Sequence, residues 1–139
     1  MPNNVVIQRQ QEIVEELSFF EDWEDKYDYI LSLAKQLPEF PEHKKVDDNL
    51  IKGCQSQVWF DSKIQNGKLY FIATSDALIV SGLIALILRV YNDATPDDIL
   101  ASNTDFIEQI GFGKNLSVTR SNGLKSMLDY IYSTAKKNK

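Results

Sequence analysis

The longest apolar run in the chain extends from Ala77 to Leu88, and it limits the possible folds more than any other segment. Its length of about 12 residues is too short to cross a bilayer. A helix that is apolar on nearly every side belongs in the interior of a protein. The run therefore predicts a buried central helix over Ala77–Tyr91, capped by Ser75 or Asp76. Gly82 disfavours a helix relative to alanine, so we expect it to mark close packing against a neighbour.

Length and composition set the class of protein. A chain of 139 residues with 43% hydrophobic and 25% charged residues fits one globular domain, spanning residues 1–139. A formal net charge of −5 argues against nucleic-acid binding, which needs a basic face. One cysteine can form neither an internal disulfide nor a Cys₄ or Cys₂His₂ metal site. We expect no metal site and, because the sequence begins without a signal peptide, a cytoplasmic location away from membranes.

The remaining pattern predicts a small antiparallel sheet covered by helices, which is an α+β fold. A first strand is expected from Gln55 to about Ile64. Asn66-Gly67 is a strong hairpin signal, and Leu69–Thr74 returns antiparallel. Further helices are predicted at Val5–Phe19, at Trp23–Ala34 with Asp22 as its cap, from Pro96 to about Ser102 with Thr95 as its cap, at Asp105–Ile110 ended by Gly111, and along the apolar stripe from Leu124 to Ala135.

Cys54 is the only cysteine, and it lies on a predicted loop just before the first strand. A free cysteine usually behaves as a small buried hydrophobe. Cys54 instead has polar neighbours, which leaves a reactive thiol and a packing residue as alternatives. His43 lies upstream in the polar segment Glu39–Asn49, and a histidine can activate a cysteine as its base. Its charged neighbours are typical of a solvent-exposed loop, which disfavours that role.

The segment around Cys54 is Gly53-Cys54-Gln55-Ser56-Gln57-Val58-Trp59. It resembles the signature of the SufE family, the sulfur-acceptor partners of pyridoxal-phosphate cysteine desulfurases in iron–sulfur cluster assembly. Four further segments, in the same order, are similar to other parts of that family: Trp23–Ile30 with Leu37-Pro38, Ser75–Ala85, Thr95–Ile99 and Arg120–Leu124. Val118 stands where many members have proline, and Gly113 is also atypical. The resemblance therefore does not imply the shape of the Lys114–Thr119 loop.

The resemblance implies a SufE/IscU-like fold in which Cys54 carries a persulfide. The donor would be a SufS-type cysteine desulfurase, which holds the pyridoxal phosphate itself, and an iron–sulfur scaffold would follow downstream. This chain would need no cofactor of its own. The loop residues Ile51, Lys52, Gly53 and Gln55 would support the thiol.

Two positive groups, Lys52 and Arg120, are candidates for favouring the thiolate over the thiol. Arg120 equally suits pairing with a carbonyl or carboxylate, and Asp76 suits capping of the central helix. Two other functions remain open. One is a cysteine hydrolase that uses Cys54 and His43, and the other is a binding scaffold in which Cys54 only packs. The sequence leaves the oligomeric state undetermined.

Overall fold

The computed structural model describes residues 4–53 and 56–139 of the chain. It confirms the predicted α+β fold, because helices surround one small antiparallel sheet. A cluster of buried apolar side chains runs from Val6 to Ala135 and joins these elements. The helices are α1 (Val5–Leu17), α2 (Trp23–Leu33), α3 (Leu78–Tyr91), α4 (Pro96–Leu100), α5 (Asp105–Ile110), α6 (Phe112–Asn115) and α7 (Val118–Lys137), and the strands are β1 (Val58–Gln65) and β2 (Lys68–Ser75).

The apolar run forms α3, and this helix is the centre of the fold as predicted. Nearly all of its residues from Ile79 to Tyr91 are buried. It approaches α2 so closely that a Cβ atom added to Gly82 would lie 2.1 Å from the carbonyl oxygen of Ile30. Only glycine permits this crossing, which confirms the expected close packing at that position. Within the described ranges, no helix has the length and apolar content required to cross a membrane.

The predicted cap of α3 is wrong. The cap position falls on Ala77, one residue later than expected, and no side chain accepts a bond from the first turn. The Ser75 hydroxyl instead accepts a hydrogen bond from the Ala77 amide at 3.1 Å. Asp76 is turned toward the loop before β1, where its carboxylate has another partner. The segment leaving β2 is therefore held from the sheet side through Asp76 and from α3 through the Ser81 hydroxyl, which donates to the Ser75 carbonyl at 3.3 Å.

The sheet is a hairpin with the predicted turn. Its register pairs Val58 with Ser75 and Gln65 with Lys68. Asn66 and Gly67 both have positive φ, at 53° and 77°, which is what a two-residue turn between twisted strands requires. The strand begins at Val58 and not at Gln55, which lies outside the described residues. One face carries fully or nearly fully buried side chains, and α7 packs on it: the Tyr130 ring lies 5.2 Å from that of Phe60 and 6.4 Å from that of Phe71.

The outer edge of β2 is occupied by the segment that follows α3. The Leu69 amide donates to the Ala94 carbonyl at 2.8 Å, and the Asp93 amide donates to the Leu69 carbonyl at 2.9 Å. Next to them, the Asn92 side-chain amide accepts from the Phe71 amide at 2.6 Å and donates to the Phe71 carbonyl at 3.2 Å. The Asn92 side chain thus forms with β2 the two hydrogen bonds that the backbone of a neighbouring strand would form.

The ends of the other helices show which local predictions hold. The Thr95 hydroxyl accepts from the Asp98 amide at 3.1 Å and caps α4 as predicted, and Gly111, with φ of 100°, ends α5. Asp22 occupies the cap position of α2, but its side chain makes no capping bond.

The Lys114–Thr119 segment, predicted as a loop, is largely helical. Its first residues belong to α6, and after Leu116 the Ser117 hydroxyl caps α7 by accepting from the Arg120 amide at 3.2 Å. The Leu116 amide still donates to the Phe112 carbonyl at 3.0 Å and so closes α6, but the Leu116 backbone is extended and separates the two helices, and both side chains are buried.

Candidate functional site

The residues that precede and follow Cys54 and Gln55 meet at one edge of the sheet. Cys54 and Gln55 themselves lie outside the described residues, so the site is defined by its neighbours. The Ile51 amide donates to the Val58 carbonyl at 2.8 Å, and Leu50 forms a bridge with Trp59. These bonds bring the two ends of the segment together beside β1. We call residues 52–57 the Cys54 loop.

Gly53 has a backbone conformation that glycine alone adopts readily. Its φ is 92°, and it is exposed. A Cβ atom at this position would lie 2.7 Å from the Ser126 hydroxyl oxygen of α7. The residue before Cys54 therefore both turns the chain and lies against the last helix.

Asp76 holds the C-terminal end of the Cys54 loop in place. Its carboxylate accepts a hydrogen bond from the Gln57 amide at 3.1 Å, and its own amide donates to the Gln57 carbonyl at 3.2 Å. The expectation that Asp76 caps α3 is thus corrected, because its side chain serves the loop. Asp76 follows β2 directly, and the pairing of Val58 with Ser75 places it next to Gln57.

The candidate positive groups, Lys52 and Arg120, are both exposed. Neither forms an ion pair with a carboxylate of residues 4–53 or 56–139, so the alternative of a structural carboxylate pair for Arg120 is not observed there. Ile51 is half-buried and packs against the core, which makes it an apolar anchor for the start of the loop. The thiolate-stabilising role of the two cations remains a prediction.

The chain that precedes the loop lies across the outer face of the sheet. Lys44 forms an ion pair with Asp61 at 2.7 Å, and this hydrogen bond holds the pKa of the Asp61 carboxyl below its usual value. The Lys45 ammonium lies 5.8 Å from the centre of the half-buried Trp59 ring. Two short 3₁₀ turns, Glu42–Lys44 and Asp47–Asn49, shape this segment, which was predicted as an irregular loop.

His43 lies in the first of these turns, and its side chain is exposed as predicted. No hydrogen bond joins its imidazole to another residue in the described part of the chain. Nor do three or more His, Cys, Asp or Glu side chains come together there in a group that could hold a metal ion. Among the described residues, the site therefore consists of two chain segments, on either side of Cys54, that are hydrogen-bonded to each other and to Asp76.

Removing the Asp76 carboxylate should release the C-terminal end of the Cys54 loop. We expect Asp76→Ala to raise the alkylation rate of Cys54 by about two- to tenfold, the factor that corresponds to one hydrogen bond of ordinary net strength. Asp98→Ala is the control, because the Asp98 carboxylate also accepts a backbone amide, that of Val5 at 3.4 Å, between α4 and α1. Equal rates in the two variants would show that Asp76 does not restrain the loop.

These features define a small α+β protein in which the residues on both sides of Cys54 are hydrogen-bonded beside the sheet. The model of the SufE family, described as an Fe-S metabolism associated domain, matches residues 11–135. The chain therefore belongs to the SufE family, as the signature around Cys54 predicted. Its role accordingly lies in iron–sulfur metabolism.

Similar proteins extend over almost the whole chain. An uncharacterised SufE-like protein of Rhizobium etli is 39% identical over 130 residues, which cover 90% of this chain and 88% of the relative. A second uncharacterised SufE-like protein, of Rhizobium meliloti, is 36% identical over 129 residues, which cover 89% of this chain and 92% of that relative. The solution structure of a hypothetical protein from Thermus thermophilus superposes with a TM-score of 0.78 at 17% identity, covering 94% of this chain and 95% of that one. This last likeness shows the shared fold alone.

Two residues at the site were missed by the sequence analysis. Gln57 holds the loop through its backbone amide and carbonyl groups. Almost any residue type could form these bonds, so the sequence does not indicate them. Ser126 could have been found, because Gly123 and Ser126 are small residues three apart in a helix that is otherwise recognised by its large apolar positions. Such a pair indicates that something approaches the helix at that point.

Proposed function

We propose that this protein accepts sulfur on Cys54 from the persulfide of a SufS-type cysteine desulfurase, stimulates that enzyme and passes the sulfur to an iron–sulfur scaffold. The observation that carries the proposal is the Cys54 loop. In a chain of the SufE family, the only cysteine follows a glycine with φ of 92°, and the residues on both sides of it are held by hydrogen bonds beside the sheet. A tethered loop on a rigid base can present one side chain to a partner.

The transfer requires no cofactor or oxidant in this chain. The Cys54 thiolate attacks the outer sulfur of the partner's persulfide, forms a new S–S bond and displaces the partner's cysteine as a thiolate. Cys54 then carries the persulfide, and the next thiolate removes its outer sulfur in the same way. The pyridoxal phosphate that first releases sulfur from cysteine belongs to the desulfurase. Lys52 and Arg120 would favour the attacking thiolate, and a reducing compartment such as the cytoplasm would keep Cys54 free.

The direct test is the mass of the intact protein. After incubation with desulfurase, pyridoxal phosphate and cysteine, the protein should gain mass in steps of about 32 Da, one sulfur atom each, which a reductant removes. The control omits cysteine and should show no gain. A protein that remains unmodified while the desulfurase turns over would contradict the proposal.

A persulfide needs protection in transit and exposure at each partner, so we expect the Cys54 loop to have two states. Ile51 anchors the loop on the core, and the free protein should hold the thiol inward. Docking of the desulfurase should shift the loop outward, which requires only that the partner favours the outward state by a few kcal/mol.

This shift predicts that the alkylation rate of Cys54 rises when a desulfurase lacking its own nucleophilic cysteine is added. Amide exchange at Ile51–Gln55 should change with it. A thiol that reacts in the free protein as fast as a small thiol of similar pKa would already be exposed, and the two-state loop would be wrong.

The competing hydrolase function makes a different prediction for His43. Since the imidazole is exposed and hydrogen-bonds to none of the described residues, His43→Ala should change neither thermal stability nor sulfur transfer. Activity on ester or amide substrates by the protein alone, lost in His43→Ala with an unchanged circular-dichroism spectrum, would instead establish a Cys–His pair.

A further inference from the structure

The sequence contains two Asn-Gly pairs, and the structure places them in opposite environments. Asn66-Gly67 forms the exposed tip of the β1–β2 hairpin, whereas Asn122-Gly123 lies within α7. An asparagine that precedes glycine can lose its side-chain amide, because glycine has no Cβ atom to hinder the approach of its own backbone nitrogen. Whether this reaction proceeds in the folded protein depends on what holds that nitrogen in place.

At the hairpin tip, the glycine nitrogen takes no part in the sheet. The pairing of Gln65 with Lys68 closes the ladder, so the two turn residues lie outside it. The Gly67 amide donates to none of the residues that the structure describes. A Cβ atom built on Gly67 would meet no heavy atom within 4 Å, apart from its chain neighbours. The turn can therefore rotate the Gly67 nitrogen toward the exposed Asn66 side chain without breaking a hydrogen bond of the sheet.

In α7, the corresponding nitrogen is held by the helix. The hydrogen-bond ladder of α7 is already formed at Ser121, whose amide donates to the Ser117 carbonyl at 2.9 Å. Gly123 follows inside the helix and is buried, and an interior helical amide donates to the carbonyl four residues before it. Rotation of the Gly123 nitrogen toward the Asn122 side chain would therefore require the first turns of α7 to unwind.

We propose that Asn66 is a site of spontaneous deamidation in the folded protein and that Asn122 is not. The Gly67 nitrogen gives its proton to water or hydroxide and attacks the side-chain carbonyl carbon of Asn66. A new C–N bond forms, the bond to the side-chain nitrogen breaks, and that nitrogen leaves as ammonia. Water then opens the cyclic succinimide at either ring carbonyl and gives aspartate or isoaspartate. Nothing is oxidised or reduced, so the reaction needs only water.

Both products alter the hairpin tip. Each replaces a neutral amide with a carboxylate and so lowers the formal net charge of −5 by one. Aspartate keeps the turn, because it tolerates positive φ as asparagine does. Isoaspartate adds a carbon atom to the main chain between Gln65 and Lys68, so this product should lose the two-residue turn. The tip lies at the opposite end of β1 from the Cys54 loop, whose hydrogen bonds stay in place.

Trypsin releases the two sites in matched peptides. Cleavage after lysine and arginine gives Ile64–Lys68 and Ser121–Lys125, each with five residues and a single Asn-Gly pair. The folded protein is incubated at mildly alkaline pH and sampled over time, and mass spectrometry of the peptides measures the replacement of the amide by a carboxyl group. Asn66 should convert at least about tenfold faster than Asn122, because the helix must open before its site can react.

The same protein unfolded in guanidinium chloride is the control, because both asparagines are then unrestrained and should convert at similar rates. Asn66→Asp removes the reactive amide and should abolish the early mass change of the intact folded protein, whereas Asn122→Asp should leave that change as in wild type. Equal rates at the two sites in the folded protein would overturn the proposal. So would an Asn66 that stays intact in the folded protein while the unfolded chain converts.

Discussion

Replacing Cys54 with serine is expected to abolish sulfur loading completely. The protein contains no other thiol, so no other side chain can form a persulfide. Serine is nearly isosteric with cysteine, and its hydroxyl does not exchange with sulfur. Intact-mass measurement after incubation with desulfurase, pyridoxal phosphate and cysteine should show the added sulfur in wild type and none in Cys54→Ser.

The same variant separates sulfur acceptance from simple binding. If acceptance drives stimulation, Cys54→Ser should also fail to raise desulfurase turnover while its thermal unfolding stays that of wild type. A scaffold in which Cys54 only packs would stimulate the enzyme equally well with serine or alanine at this position. Full stimulation by Cys54→Ser would therefore refute sulfur acceptance as the basis of activation.

The second large effect is a loss of folding stability, expected from a charged substitution in the core. Ile84 is 0% exposed at the centre of α3. An aspartate there would bury a carboxylate among apolar side chains, which costs more than about 4 kcal/mol, a large part of the stability of an ordinary domain. Ile84→Asp should therefore show no cooperative transition in thermal unfolding monitored by circular dichroism.

Leu78→Asp provides the matched control, because the same substitution is made on the same helix at a position that is 63% exposed. Leu78 is the first residue of α3, where a negative charge interacts favourably with the helix dipole. Its free energy of unfolding should stay within about 0.5 kcal/mol of wild type. Comparable losses in the two variants would mean that α3 is not the buried centre of the fold.

The elements that could be predicted are those whose evidence is local. The Asn66-Gly67 turn, the Thr95 cap and the Gly111 stop each depend on the preference of a residue or two for a backbone geometry. The apolar run of α3 predicted both its helix and its burial. Gly82 indicated a close contact, although the identity of its neighbour, the Ile30 carbonyl, depends on how two distant helices cross.

The predictions that failed involve partners distant in sequence. Asp76 was assigned to the helix it precedes, because a short acidic residue before an apolar run is a common cap. The hairpin register instead places it beside Gln57, nineteen positions earlier, and the carboxylate binds there. The Lys114–Thr119 segment was judged by its atypical residues, whereas it holds the end of α6 and the start of α7, which meet at the buried, extended Leu116.

The pairing of Asn92 with the edge of β2 bears on how other chains can approach this protein. An exposed strand edge is a template onto which a second chain can add a strand. At Leu69 and Phe71, the outward amide and carbonyl groups are already bonded within the molecule. Strand addition at this edge would first have to displace the turn after α3. At Leu69 and Phe71, a second chain could therefore join the sheet only after it had replaced the hydrogen bonds of Asn92, Asp93 and Ala94.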